Sequence, residues 1–241
     1  MPIHFRTVTS QIEFYISRLH HEYCMDPASI LTENDLKARL HSYLLRVRAL
    51  QRRVPAKEKR VFGTSVHTEV PWHDENHKLR IRPDITILEP EHLSIRHRYP
   101  PRVIDAFSGI GGHYLRTPRL PSKEFEFAGN AITIELKFAR NGINKAMAKL
   151  IKKDFQKMER LFRILDEQGE GNTIFSYLVI FNRRSQPPWE TPLATFLSDH
   201  GRSSRHRILY KMWQPLAKRD LQSRRLFTLG RRTNVVNLSK H

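Results

Sequence analysis

The chain has 241 residues, of which 39% are hydrophobic and 27% are charged, and it contains a single cysteine, Cys24. This composition is typical of a globular domain rather than a disordered chain, and one cysteine excludes both an internal disulfide and a zinc site built from several cysteines. Lysine and arginine total 42 against 24 acidic residues, and the resulting net charge of +18 favours a polyanionic partner, with nucleic acid as the first candidate.

Length and hydropathy bound the architecture and the location. The length predicts one core domain with at most a small appendage. No apolar run approaches the roughly 20 residues that span a bilayer, and the first residues lack the apolar stretch of a secretory signal. We therefore expect a cytoplasmic protein that does not bind a membrane.

The first elements in chain order are two predicted helices. Ser10 and Glu13 have the spacing of a capping box, and apolar residues then recur at helical spacing, which predicts a first helix over about 10–24. Thr32 and Asp35 are predicted to begin a second helix, whose apolar stripe faces the core.

Strands and a long helix follow. Three strands are predicted over 65–70, 79–88 and 131–138, and the last two have strongly patterned apolar residues. Apolar residues spaced by three and four predict a long helix over about 144–166. A continuous apolar segment over 173–181 then predicts a strand covered on both faces. The predicted order is helix, three strands, helix, strand.

Two regions are less regular. The segment 91–128 is rich in proline and glycine, and we expect a functional or partly disordered insertion that holds a short strand near 102–107. The last part of the chain is rich in proline and arginine. It is expected to contain a short helix near 193–197 and strand-like pieces at 207–212 and 225–229.

The third predicted strand carries a charged pair on one face. Because side chains alternate along a strand, Glu135 and Lys137 point to one face and the apolar side chains to the other. A cross-strand ion pair on a solvated face would produce the same Glu-x-Lys pattern. The pattern favours a functional site because Pro83 and Asp84 occupy the preceding strand.

The order of these residues and elements resembles the PD-(D/E)XK, or restriction-endonuclease-like, nuclease superfamily. Its core of helix, three strands, helix and strand matches roughly 31–182, with Pro83-Asp84 as the first half of the motif and Glu135-Leu136-Lys137 as the second. The resemblance implies an α/β fold with a mixed central sheet flanked by helices.

The same resemblance implies a division of the chain into three parts. The first is an N-terminal helix over 1–30 that packs on the core. The second is the nuclease core over 31–184, with the insertion 91–128. The third is a basic C-terminal extension over 185–241 that completes the core or binds substrate or a partner.

The resemblance also assigns chemical roles. Asp84 and Glu135 would bind Mg²⁺, with Mn²⁺ as a substitute, and the Leu136 carbonyl would complete the metal shell. Lys137 would orient or deprotonate the attacking water and stabilise the developing charge. Glu33, on the first core helix, is the candidate for an additional acidic catalytic residue. Glu69 is the alternative candidate for this role.

Four lysines of the long helix are candidates for nucleic-acid binding. Lys145, Lys149 and Lys152 form a basic stripe, which is usually a solvated face but beside a nuclease cleft would suit backbone phosphates. Lys157 is the fourth, and Asp154 lies three residues before it. For Asp154 we expect an ordinary ion-pairing surface position.

The leading hypothesis is a metal-dependent endonuclease that hydrolyses DNA in restriction, anti-phage defence or a mobile element. DNA is the expected partner, RNA is not excluded, and a homodimer or a protein partner in a defence or mobile-element complex is an open alternative. A non-catalytic nucleic-acid-binding subunit and a structure-selective junction or repair nuclease are the competing hypotheses. The sequence has no Gly-x-x-x-x-Gly-Lys phosphate loop, so an NTP-driven role would need another subunit.

Overall fold

The computed structural model describes residues 5–56, 62–73, 81–96, 113–116, 124–127, 129–167 and 174–215. The α-helices within these ranges are α1 (Phe5–Met25), α2 (Glu33–Leu44), α3 (Lys145–Glu167) and α4 (Ala194–His200). None of these helices is long and apolar enough to cross a membrane.

The strands of the described ranges belong to a central sheet and two smaller sheets. They are β1 (Val54–Pro55), β2 (Phe62–Gly63), β3 (Val66–Thr68), β4 (Trp72–His73), β5 (Ile85–Leu88), β6 (Leu93–Arg96), β7 (His113–Arg116), β8 (Glu124–Phe127), β9 (Ala131–Ala139), β10 (Ile174–Asn182) and β11 (His206–Met212). The central sheet has the order β11-β10-β9-β5-β3. Strands β9, β10 and β11 are parallel, whereas β3 and β5 pair antiparallel, so the sheet is mixed.

Helices cover both faces of this sheet, which makes the protein α/β. The side chains of Ile132, Ile134 and Leu136 on β9 join a core formed with α1 and α2. The opposite face packs under α3, with Ile151 and Phe155 fully or almost fully buried there. Strand β9 is therefore held between two apolar layers, and its backbone is a fixed support for polar side chains at its end.

The smaller sheets lie apart from this core sheet in the topology. Strands β4, β7, β8 and β6 form an antiparallel sheet in that order, and β1 pairs with β2. Three of these strands fall within the predicted insertion 91–128. The strand expected near 102–107 lies outside the described residues, as does the piece at 225–229.

Helix α1 and strand β11 are joined by polar contacts across the sheet edge. The Glu13 carboxylate accepts hydrogen bonds from the Tyr177 hydroxyl at 2.9 Å and from the Arg207 guanidinium. The ring nitrogen Nε2 of His20 donates to the Met212 carbonyl at 2.6 Å. The first helix and the last strand of the described fold therefore stabilise each other.

The structure confirms most of the predicted helices and strands. The Thr32 hydroxyl accepts from the Asp35 amide at 3.1 Å, and the Asp35 carboxylate accepts from the Thr32 amide at 2.9 Å, so the predicted capping box begins α2. The long helix and the buried strand after it agree with their predicted ranges to within one residue. The helix near 193–197 and the strand at 207–212 are also present.

Two predicted boundaries were wrong. Helix α1 begins at Phe5, so Ser10 lies inside it, and the reason is that the apolar face already includes Val8, which is 1% exposed. The second strand was expected over 79–88, but β5 begins only at Ile85. Pro83 has no amide hydrogen to donate to a neighbouring strand. Asp84 therefore precedes the strand rather than lying within it.

The capping box of α2 positions Glu33, so its loss is a test of the fold around the site. We expect Thr32→Ala to lower the free energy of unfolding by about 1 kcal/mol, because one N-terminal amide of the helix loses its acceptor. The measurement is urea unfolding followed by circular dichroism. Thr195→Ala, which removes an exposed threonine inside α4, is the matched control and should change stability by less than about 0.5 kcal/mol. Equal effects would contradict the role of Thr32.

Candidate active site

The first residue of β5, Ile85, pairs with Ile134 of β9, just before the charged residues of β9. Pairing between the two strands stops at Ile134 of β9, so later backbone amides on that side need other partners. The Leu136 amide donates to Asp84 Oδ2 at 2.8 Å, and the Phe138 amide donates to Glu33 Oε2 at 3.2 Å. Two carboxylates therefore take the place of a neighbouring strand.

The ammonium group of Lys137 lies at the centre of three acidic side chains. Its Nζ atom is 2.9 Å from Glu135 Oε1, 3.1 Å from Asp154 Oδ2 and 3.6 Å from Glu33 Oε1. The Lys137 side chain is only 13% exposed, so salt screens these interactions much less than it would at the surface. One cation thus connects β9 with the helices on both faces of the sheet.

Asp84 is held by a second cation, Lys37 of α2. The Lys37 Nζ atom is 3.6 Å from Asp84 Oδ1 and 2.5 Å from Glu69 Oε1. Glu69 has a φ of 53°, which is uncommon for a residue other than glycine, and its amide donates to the Asp84 carbonyl at 3.1 Å. Of the two glutamates considered as the extra acidic residue, Glu33 contacts Lys137 directly, whereas Glu69 reaches the site through Lys37.

The two central side chains of β9 have shifted pKa values. Burial raises the pKa of Glu135 to about 7, against the opposing effect of Lys137. For Lys137, burial lowers the pKa, but the surrounding carboxylates of Glu135, Glu33 and Asp154 outweigh it, so that the pKa is raised above the ordinary lysine value. Lys137 therefore stays charged at neutral pH while Glu135 titrates near it. A carboxyl group shifted in this way beside a fixed cation is typical of functional sites.

A cavity of about 460 Å³ lies between β9, the segment before β5 and α3. Glu135 and Asp154 line it together with two exposed cationic residues, Arg82 and Lys157. The cavity therefore combines carboxylates with positive charge, which suits a ligand that is anionic and reacts with water.

The residues of the site bear on whether it can hold a magnesium ion. In the described residues, no three histidine, cysteine, aspartate or glutamate side chains are arranged to hold a metal ion. Magnesium needs fewer protein ligands, because it binds through one or two carboxylates and keeps several of its waters. Asp84 and Glu135 supply two carboxylates on neighbouring chain segments.

The Leu136 carbonyl completes this donor set. In a strand, the amide and the carbonyl of one residue face the same neighbour. The Leu136 amide donates to Asp84, so the Leu136 carbonyl lies on the same side of β9. This position is beyond Ile134, the last residue of β9 that pairs with β5. Two carboxylates and one carbonyl fit a hard, oxygen-binding cation, and the buried Glu135 carboxylate would be stabilised by its charge.

The four lysines predicted to bind nucleic acid do not form one surface. Lys157 lines the cavity, whereas Lys145, Lys149 and Lys152 line a separate groove of about 660 Å³. At 3.6 residues per turn, the two sets of lining positions on α3 are roughly 160° apart, on opposite flanks of the helix. The basic stripe therefore does not border the cavity, contrary to the arrangement that the sequence suggested.

Asp154 is the site residue whose position differs most from the sequence interpretation. Its predicted ion pair with Lys157 is present, with 2.5 Å between Oδ1 and Nζ. Its side chain is only 12% exposed, however, and the other oxygen reaches Lys137. The signal in the sequence is its place at the border of the apolar stripe of α3, three residues after Ile151.

Lys37 is the residue that sequence reasoning missed. It follows Glu33 by four residues, so both side chains lie on one face of α2. That spacing is the only sequence signal that links it to the site, because its contacts with Asp84 and Glu69 are set by tertiary packing.

The cluster can polarise a water molecule, bind a hard cation and stabilise negative charge through a fixed ammonium group. Comparison of the chain with protein-family models, with curated proteins and with solved structures found no match. The arrangement of the described side chains therefore carries the functional argument.

The raised pKa of Glu135 predicts a pH-dependent stability. Between the ordinary glutamate value and about 7, ionisation is less favourable in the folded state, so stability is lost as the pH rises through this window, by at most about 3 kcal/mol. We expect Glu135→Gln to unfold like the native protein at pH 5 and to be more stable than it at pH 8. The measurement is urea unfolding in the presence of a chelator.

Glu190→Gln is the control for this experiment, because Glu190 is exposed and distant in sequence from the cluster. The free energy of unfolding of the control should equal that of the native protein at both pH values. A Glu135→Gln curve that is displaced by the same amount at pH 5 and pH 8 would contradict the burial of an ionisable carboxyl at this position.

Proposed function

We propose that this protein is a metal-dependent endonuclease of the restriction-endonuclease-like, PD-(D/E)XK type that hydrolyses DNA phosphodiester bonds. The observation that carries the proposal is the Lys137 ammonium group, which is held by three carboxylates, two of which, Glu135 and Asp154, line the cavity of about 460 Å³. The element order α2, β3, β5, β9, α3 and β10 supports it, since this is the order of the core in that superfamily.

Asp84, Glu135 and the Leu136 carbonyl would hold Mg²⁺, or Mn²⁺ in its place. When bound, the ion supplies positive charge to the scissile phosphate and lowers the pKa of a water molecule. The backbone amide of Leu136 fixes Asp84 Oδ2, and Oδ1, which lies 3.6 Å from the Lys37 ammonium group, would bind the ion. The Asp84 carboxylate is thus held by the backbone of strand β9.

Lys137 is proposed to orient the attacking water and to stabilise charge on the phosphate oxygens. Its raised pKa favours this role over deprotonation of the water, because the amine rarely loses its proton at neutral pH. Glu33 and Asp154 hold the ammonium group in place. The attacking water gives up one proton to solvent as its oxygen bonds to phosphorus. The bond from phosphorus to the 3′ oxygen breaks, and that oxygen takes up a proton from solvent, which leaves a 5′ phosphate and a 3′ hydroxyl.

Arg82 and Lys157 are proposed to bind the phosphates that flank the scissile bond. Both are exposed, and both line the cavity beside the carboxylates. Cationic side chains at such positions fix the register of the strand without reading its sequence. Restriction, anti-phage defence or a mobile element is the proposed context, in which cleavage of both strands would use a second copy or a partner.

The first test is cleavage of plasmid, single-stranded and branched DNA with magnesium, manganese or a chelator. We expect metal-dependent cutting by the native protein and a loss of at least about 100-fold in Asp84→Ala and in Lys137→Ala, since each removes a group that acts on the reacting phosphate or water. Asp199→Ala, which removes an exposed carboxylate on α4, should cut like the native protein.

The outcomes separate the competing functions. Preferential cutting of branched DNA would favour a junction or repair nuclease. DNA binding without cutting under all metal conditions, unchanged in both variants, would reject the nuclease proposal in favour of a non-catalytic nucleic-acid-binding subunit.

Metal binding can be measured without activity. At a Mg²⁺ concentration ten times its dissociation constant, binding to the folded state adds about 1.4 kcal/mol of stability. For a chain of this length that corresponds to a rise in Tm of about 3–6 °C. We expect this rise in the native protein and in Asp199→Ala, and none in Asp84→Ala. An equal rise in Asp84→Ala would place the ion elsewhere.

A further inference from the structure

A second basic surface lies on the flank of α3 that faces away from the cavity. The groove there is lined by four lysines, Lys145, Lys149, Lys152 and Lys153, together with Ala148, Gln156 and Pro192. None of these described lining residues is acidic. All four lysines are exposed, and the volume of about 660 Å³ is in the range of cavities that hold small ligands.

The wall of this groove is fixed by packing. Lys152 places its Nζ atom 5.7 Å from the centre of the Phe196 ring on α4. Phe196 in turn packs edge-on against the buried Phe155 of α3, with 5.1 Å between ring centres. The position of the basic side chains relative to α4 is therefore set by the protein core.

An exposed indole, Trp189, lies three positions before the groove residue Pro192 in the chain. Trp189 is 74% exposed, which makes it the most exposed of the large apolar side chains in the described part of the chain. It precedes the groove residue Pro192 by three positions, so the two Cα atoms are at most about 11 Å apart. A single exposed aromatic residue is ordinary on a protein surface. Near a lysine-lined groove, such a residue can stack on a planar group of a bound anion.

We propose that this groove binds a single-stranded segment of nucleic acid, with the lysines on its phosphates and Trp189 stacked on a base. The lysines suit any phosphate backbone, but the faces of the bases are free for an indole only in a single strand. The apolar floor of Ala148 and Pro192 suits an unpaired base as well. A duplex would gain binding affinity from the lysines alone.

This inference rests on the proposed function for the identity of the ligand as nucleic acid. It adds a binding site that is separate from the catalytic cavity, on the opposite flank of α3. A displaced strand or a single-stranded end of the substrate could then be held while the duplex part lies at the cavity.

The test is fluorescence anisotropy with a labelled oligodeoxynucleotide of about 20 nucleotides, as a single strand and as the matching duplex, in chelator so that no cleavage occurs. We expect Lys149→Glu combined with Lys152→Glu to weaken single-strand binding at least 10-fold. The slope of log affinity against log salt concentration should become shallower by about 1.4, since each contact with a single-strand phosphate contributes about 0.7.

Substitution of Trp189 tests the contribution of stacking separately from that of charge. Trp189→Ala should weaken single-strand binding by about 10-fold, which is about 1.4 kcal/mol, and should leave duplex binding unchanged. Trp189→Phe should restore most of the single-strand affinity, because the phenyl ring still stacks. Thermal unfolding of each variant checks that the fold is retained.

The matched control is Arg48→Glu combined with Arg52→Glu. Both arginines are exposed, they lie beyond α2, which packs on the other face of the sheet, and their reversal changes the net charge by the same amount. A loss of affinity in this control equal to that of the lysine pair would overturn the proposal in favour of unspecific attraction by the basic chain. Native affinity in Trp189→Ala would overturn it as well.

A polyglutamate competitor tests the chemical class. If it displaces the single strand as efficiently as unlabelled oligonucleotide does, the groove binds polyanions in general and the stacking proposal fails. Because all of these measurements are made without metal, they do not depend on catalysis. Groove-dependent binding by a protein that never cuts DNA would reject the nuclease proposal and leave the groove proposal intact.

Discussion

The candidate active site depends on two backbone amides at the end of β9 that have no strand beside them. A buried amide without an acceptor costs about 1–3 kcal/mol, so the fold needs an acceptor at each of these positions. Asp84 and Glu33 meet this need. These two carboxylates are thereby fixed by the main chain of the sheet, and the same interaction places Glu33 within 3.6 Å of the Lys137 ammonium group.

Sequence reasoning was most effective where the relevant geometry is local. Alternation along a strand is enough to put Glu135 and Lys137 on one face. The Pro83-Asp84 pair was predicted within the neighbouring strand, whereas Asp84 directly precedes β5. The place of Asp154 could not be found in this way, because its contact with Lys137 depends on how α3 crosses β9. The same holds for the basic stripe, since helical periodicity groups Lys145, Lys149 and Lys152 but does not say which flank of α3 they face.

Helix α3 separates two electrostatic environments. The cavity on the flank towards β5 is lined by the carboxylates of Glu135 and Asp154 as well as by Arg82 and Lys157, whereas the described lining of the groove on the other flank has lysines and no acidic residue. Affinity for nucleic acid and competence for hydrolysis would therefore respond differently to metal.

The polar contacts between α1 and β11 join residues that are far apart in the chain. Glu13 and Arg207 are 194 positions apart, and His20 and Met212 are 192 apart. Contacts of such long range form slowly, because a large loop must close before they contribute any energy. During synthesis, α1 leaves the ribosome long before its partner strand exists, so part of its contact surface stays uncovered for most of translation. Loss of the contacts that β11 makes would therefore also destabilise α1.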